Sequence, residues 1–330
     1  MGLRVGVVGT GRLGREHVRV LSRLEEVDFV GCYDVREAAA AAVAAEYGAR
    51  VYSRLDELIE AVDAVSVVVP SIQHAEVSIR AIEQGRDVFI EKPIAHDLTS
   101  AERIVWTAAK HNRLLQLGHI ERFNAAFELA RPYIKEPVFI EVHRLSPFAV
   151  RGTDVSVAAD LMIHDLDLLL LVLDSWPTEI RAKGAGILTP GPDIINARLE
   201  FESGCVANLT SSRVSLEPMR KLRIFSTNQY LSIDLLKRRV KRVGKGAGFG
   251  EGIKKLNKYE GNLQALDLSE FLDIEEYQAD GEEPLKKELQ SFCRSVQSRQ
   301  PPPVTGEDGL RALRLVTAVL DTIQNGAARQ

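Results

Sequence analysis

The stretch at residues 4–17, RVGVVGTGRLGREH, decides the fold. A short apolar run leads into Gly9, Gly11 and Gly14, spaced G-x-G-x-x-G, and a helical pattern follows. Alone this spacing is weak, because glycine-rich turns are common. Behind a strand and ahead of a helix it predicts a dinucleotide-binding βαβ unit. In that frame Gly9 permits the tight turn, Gly11 lets the backbone approach a pyrophosphate, and Gly14 lets helix and strand pack closely. The helix start, with Thr10, Arg12 and Leu13, then offers unpaired N–H groups and a positive dipole end to phosphates. Asp34 stands about twenty residues on, at the second strand's end, where a carboxylate receives both adenosine ribose hydroxyls and repels a 2′-phosphate. The spacing favours NAD over NADP, and Arg36 keeps NADP open. A turn-capping aspartate is the alternative reading of Asp34.

Outward from this unit, short apolar runs alternate with helical patterns, as a parallel sheet requires. The expected strands are 4–8, 28–33, 64–69, 87–90 and 114–118. Between the second and third, REAAAAAVAAEYG is a strong helix former ending at Gly48. Thr99 and Glu102 have capping-box spacing at the start of another helix. From about residue 123 the texture changes. After a helix near 124–134 come strand-like segments at 139–144, 179–185, 194–201, 205–211, 221–226 and 230–234, joined by hairpin signals. Helices at 284–298 and 306–325 close the chain. The expected fold class is α/β: a doubly wound Rossmann domain over 1–122, then an α+β domain with a mainly antiparallel open sheet over 123–330.

With 330 residues, 45% of them hydrophobic, the chain is long enough for two cores. Its net charge of −4 gives no global basic field for nucleic acid. The apolar run at 161–173 is broken by His164, Asp165 and Asp167, so no membrane span is expected. The first residues run straight into a strand, leaving no room for a signal peptide. Cys32, Cys205 and Cys293 form neither a zinc spacing nor a disulfide framework, which suits a reducing cytoplasm.

In FIEKPIAHD, 89–97, Lys92 ends a buried strand of the same sheet. Ligands bind at the carboxyl ends of such strands, and Pro93 restricts how Lys92 is presented. A solvated charge is the bland alternative. A second constellation lies in AADLMIHDLDLLLLVL, 158–173, where Asp160 and His164 sit at i and i+4. Acids inside so apolar a run need partners or a cavity. A third ligand for a metal is not evident, so no metal is expected. Among the other histidines, His17 reads as packing and helix electrostatics, His96 and His111 as surface residues, and His119 and His143 as ambiguous.

Several segments together resemble the glucose–fructose oxidoreductase/inositol dehydrogenase (Gfo/Idh/MocA) family of NAD(P)-dependent dehydrogenases. They are the glycine motif with His17 three residues beyond it, VSVVVPSIQHAEVSIRAIEQGRDVFIEKP, GHIERFN, DLMIHDLDLL and PPVTGEDGLRALRL. The resemblance implies that Lys92 is catalytic and that its bond to Pro93 is commonly cis. It places Glu91 near the nicotinamide ribose, and Pro70 and His74 in the loop under that half of the cofactor. It matches Asp160 and His164 to the family's D-x-x-x-H element. The wording of GHIERFN and of 144–169 looks most like the branch that oxidises the C3 hydroxyl of UDP-linked N-acetylhexosamines. A diphosphate needs cationic donors, for which Arg122, Arg144 and Arg151 are candidates, with Asn124 beside them. The basic run KRRVKRVGK, 237–245, is another candidate, or else an exposed edge strand.

The mechanism this implies is hydride transfer from a secondary alcohol. His164 is the candidate base, Lys92 the donor to the alkoxide or a proton relay, and Asp160 the orienting partner; the division between His164 and Lys92 stays open. The rivals are oxidation of a free sugar or inositol, an NAD-dependent glycosidase and a non-enzymatic NAD-binding regulator. A small-molecule partner and a homodimer or homotetramer through the C-terminal sheet are expected.

Overall fold

The computed structural model describes residues 2–148, 155–250, 254 and 271–327. It divides into two compact units, one of residues 1–123 with 282–317 and one of 124–281 with 318–330. The first crossing falls beside the expected boundary. The return of 282–317 to the first unit departs from a single domain over 123–330, because these helices fill the first unit's core.

In the first unit a five-stranded parallel sheet has the order β2-β1-β3-β4-β5. The strands are β1 (Leu3–Val8), β2 (Val27–Tyr33), β3 (Ala64–Val67), β4 (Asp87–Glu91) and β5 (Leu115–Gly118). β3 and β4 are buried along almost their whole length, as expected of parallel strands covered on both faces. Helices α1 (Arg12–Leu21), α2 (Glu37–Tyr47), α3 (Leu55–Ala61), α4 (His74–Glu83) and α5 (Leu98–Lys110) follow the strands. α2 ends at Gly48 in the left-handed region, as its alanine-rich sequence predicts. The cap of α5 differs from the capping-box expectation. Asp97, two residues earlier than Thr99, accepts from the Ser100 N–H and starts the helix. α8 (Pro284–Ser298) supplies Leu289, Phe292 and Cys293 to one core face. α9 (Gly306–Ala327) supplies Leu310 and Leu313 to the other.

The second unit holds an eight-stranded sheet in the order β13-β12-β11-β10-β6-β9-β8-β7. Its strands are β6 (Pro137–Leu145), β7 (Pro177–Ala185), β8 (Ile194–Phe201), β9 (Val206–Ser212), β10 (Met219–Ser226), β11 (Gln229–Asp234), β12 (Arg239–Lys245) and β13 (Leu272–Gln278). All pairs are antiparallel except β6 with β9. α6 (Ala125–Ala130) and α7 (Ile163–Leu173) belong to this unit. Alternation along β8 and β11 buries one face of the sheet.

The basic run forms β12, which is not the edge. β13 covers it, with Lys241 opposite Glu276 and Arg242 opposite and ion-paired to Glu275. Opposite charges facing across two strands favour this register. Among the described residues no helix is long and apolar enough to cross a membrane. The three cysteines are free and buried, and burial pushes Cys293 up to about 12.

Candidate active site

The glycine-rich turn is built as its spacing predicts. Gly9 has φ +94°, and a Cβ there would lie 2.5 Å from the Val68 carbonyl. At Gly14 a Cβ would meet the Gly9 carbonyl at 1.9 Å, so only glycine lets α1 approach the turn. At Gly11 nothing lies within 4 Å of a built Cβ, and this residue caps α1 without a side-chain hydrogen bond. No acid occupies the first turn of α1. The helix start therefore presents backbone donors and open space, the cradle a pyrophosphate requires. Leu13 at its rim is half exposed.

Asp34 follows β2. Its Oδ2 accepts from the Thr10 N–H at 2.8 Å and the Thr10 hydroxyl at 3.1 Å, and its Oδ1 from the Arg36 N–H at 2.9 Å. Partial burial would raise this carboxyl, but these donors and the Arg36 charge outweigh it and hold it below the usual carboxylate range. Asp34 thus caps the turn, and its carboxylate is fixed beside the glycine motif. The Arg36 guanidinium is mostly exposed, 3.8 Å from Asp34 Oδ1. These residues fit a dinucleotide on geometry as well as on spacing.

On the next strands, Pro70 ends the β3 loop and is exposed. His74 opens α4 fully buried, with Nδ1 2.9 Å from the Pro93 carbonyl and Nε2 2.8 Å from the Val69 carbonyl. It therefore spans the β3 loop and the turn after β4. The Lys92–Pro93 peptide is cis. Lys92 is half-buried just beyond β4.

Glu91 ends β4. Its Oε2 accepts from the Lys92 N–H at 3.1 Å, and its Oε1 lies 3.0 Å from His17 Nε2. His17 is fully buried on α1, with its Nδ1 2.8 Å from Ser66 Oγ on β3. Burial pushes the Glu91 carboxyl up, yet the His17 bond and the nearby Lys92 charge outweigh it and leave it below the usual range. A Cβ on Gly118 would sit 2.9 Å from Glu91 Oε2, so the carboxylate occupies the space that β5 leaves there. The sequence reading of His17 as a packed residue did not include these partners. Gly14, His17, Val18 and Leu21 form a buried stripe at helical spacing, which was the signal for a polar side chain that must find a partner.

In the second unit, Asp160 lies in a π-helical turn, Ala158–Met162, that runs into α7. The Ile163 N–H reaches back to the Ala158 carbonyl, five residues earlier. π turns are rare and concentrate at functional positions. Asp160 and His164 are each half-buried, about one helical turn apart. Directly after His164, Asp165 is buried and forms a two-pronged ion pair with Arg144 on β6, at 2.7 and 2.8 Å.

Three of the four substrate candidates have partners within the fold. Arg144 is committed to Asp165 with its side chain 2% exposed. Arg122, its side chain 8% exposed, reaches Asp308 at 3.2 Å and the Pro303 carbonyl at 3.3 Å. Asn124 caps α6 and donates to the Leu235 carbonyl. The Pro303 partner of Arg122 lies 181 residues away, where local pattern reading does not reach. Arg151 lies outside the described residues. His96 pairs with Asp97 at the surface, His119 is buried after β5, and His143 lies on β6.

Comparison with known proteins agrees with this geometry. The description "Oxidoreductase family, NAD-binding Rossmann fold" (GFO_IDH_MocA) matches residues 3–119, and the "GFO/IDH/MocA C-terminal domain" matches residues 115–232. The chain is 34% identical over 312 residues to a UDP-N-acetylglucosamine 3-dehydrogenase of Acidithiobacillus ferrooxidans, covering 94% of each. A solved structure of that bacterium's UDP-N-acetylglucosamine 3-dehydrogenase superposes with TM-score 0.88 at 31% identity, over 98% of this chain and 99% of that one. A myo-inositol 2-dehydrogenase of Thermotoga maritima is 25% identical, over 98% of this chain and 96% of its own length.

Proposed function

Since the chain belongs to the Gfo/Idh/MocA oxidoreductase family, we propose that it is an NAD-dependent sugar dehydrogenase, oxidising the C3 hydroxyl of a UDP-linked N-acetylhexosamine to a 3-keto sugar. The observation that carries this reading is the end-to-end similarity to the Acidithiobacillus enzyme at 34% identity. NAD is favoured over NADP because Asp34 stands ionised beside the glycine turn and opposes a 2′-phosphate.

Gly9, Thr10, Gly11, Arg12, Leu13 and Gly14 would hold the pyrophosphate, Asp34 the adenosine ribose, and Pro70, His74, Glu91 and Lys92 the nicotinamide half. When bound, the nicotinamide supplies the hydride acceptor. The chain's own task is the proton. His164 takes it from the substrate hydroxyl, since an imidazole titrates near working pH. Lys92 donates from Nζ to the oxygen as it becomes alkoxide-like, and Asp160 orients and tunes His164. For the diphosphate, Arg151 and the basic run 237–245 stay candidates. The same reading has the protein working in the cytoplasm, as a homodimer or homotetramer through the open face of the eight-stranded sheet.

The test follows absorbance at the NADH band against a panel including UDP-N-acetylglucosamine and UDP-N-acetylgalactosamine. Turnover of either supports the reading. Turnover of a free polyol alone supports the second reading, inositol oxidation, which the full-length relation to a myo-inositol 2-dehydrogenase favours. Sugar release from a glycoside without net NADH would mark a glycosidase.

A further inference from the structure

A chain of largely buried polar contacts runs behind Lys92, and two of its members, Ser66 and His17, have no part in the chemistry above. It begins at Ser66 on β3, passes through the His17 ring (2.8 Å to Nδ1, 3.0 Å from Nε2) to Glu91, and ends on the Lys92 N–H at 3.1 Å. His17 belongs to α1, the helix whose first turn forms the phosphate cradle. The chain therefore links that helix to the residue that closes β4.

The partners leave Glu91 little freedom. An ionised carboxylate only accepts, so His17 Nε2 must carry a proton towards it, and Ser66 holds the other ring nitrogen. The Phe89 ring packs against the His17 ring, with centroids 5.5 Å apart and planes inclined at 60°, which confines the imidazole. On the far side, Gly118 leaves room for the carboxylate and nothing larger. Buried networks satisfied at every step are rigid, and removal of one member leaves a buried charge exposed to the low-dielectric interior.

We propose that His17 is a positioning residue: through Glu91 it fixes the backbone at Lys92, and so sets where the lysine ammonium stands. It touches neither substrate nor cofactor in this role. The proposal rests on the assignment of Lys92 to the chemistry, and its test includes a readout that does not.

Two amide replacements separate the roles. His17→Gln places an N–H near the position of Nε2 and keeps the donor to Glu91. His17→Asn reaches only as far as Nδ1, keeping Ser66 and losing Glu91. With whichever sugar the wild type turns over, His17→Asn should lower kcat by about tenfold or more. The KM for NAD and the NADH affinity, read by fluorescence, should stay within about threefold, the range left by an unchanged binding surface. His17→Gln should restore kcat to within about threefold of wild type. Independently of any substrate, the ¹³C signal of the Glu91 carboxyl, assigned by its loss in Glu91→Gln, should shift in His17→Asn and return in His17→Gln. Equal kcat in the two variants, or a Glu91 signal that His17→Asn leaves in place, would overturn the proposal. If no sugar is turned over by wild type, the function reading fails and the Glu91 signal alone decides this one.

Discussion

Lys92 and His164 are single side chains whose removal should act on chemistry and spare the fold, since both are only half-buried. Lys92→Met and His164→Ala should each lower turnover by about 10²-fold or more, with NADH binding retained by fluorescence titration. Turnover near wild type in either variant would remove that residue's role. Asp34→Ala should move the kcat/KM preference for NAD over NADP by about tenfold towards NADP, because the charge that opposes a 2′-phosphate is gone. Glu91 ties proton equilibria to stability. Its folded carboxyl titrates below the ordinary glutamate value. The stabilisation is therefore complete above about pH 4.3, the unfolded value, and is lost as pH falls through the folded one. Glu91→Gln should flatten the acid side of the stability curve, as measured by urea midpoints from pH 6 down to the acid transition. At this scale, local pattern read the tight turn at Gly9 and the close packing at Gly14, because each lies within a few residues of its own turn. It did not show the partners of Arg122, Asn124 and Arg144, because a positive charge or an amide carries no mark of the distant group that it meets.

Elements obey a longer-range logic. α7 is apolar over most of its length and could pack in several rotations against a sheet; the buried Arg144–Asp165 pair selects one. Breaking it on one side leaves the other charge stranded, so Arg144→Met or Asp165→Leu alone should cost about 3–5 kcal/mol of unfolding free energy. The double variant should recover much of that loss, as urea denaturation would show. Additive losses in the double variant would mean that the pair does not act as a unit. The π turn before α7 could not be read from AADLM, since an i→i+5 bond depends on packing and leaves no composition cue. β13 escaped for another reason. LDIEEYQ breaks its alternation with two adjacent acids, and those acids make sense only opposite the basic β12.

At the scale of the whole molecule, the two halves of the chain are not two halves of the sequence. The parallel sheet was legible because βαβ units repeat locally, whereas the destination of the last helices was not. Nothing in PLKKELQSFCRSVQS states which sheet its apolar stripe will cover. Leu289, Phe292 and Val296 line one side of the first unit's core, and Val304, Leu310 and Leu313 the other. A fragment of residues 1–123 should therefore lack a cooperative thermal transition by calorimetry. Adding a peptide of residues 282–317 in trans should restore one. A sharp transition in the fragment alone would contradict this.

Synthesis on the ribosome gives that return of the chain a temporal meaning. The nucleotide-binding sheet is translated before residues 282–317 and must wait, with part of its apolar surface uncovered, until they have emerged. The later-made sheet unit, contiguous over 124–281, has most of its strands available earlier and is the one suited to condense first. A nascent chain stalled shortly before residue 282 would then be a client for holdase chaperones at its amino-terminal end, and a premature stop there would yield a degradation substrate rather than a half-working enzyme.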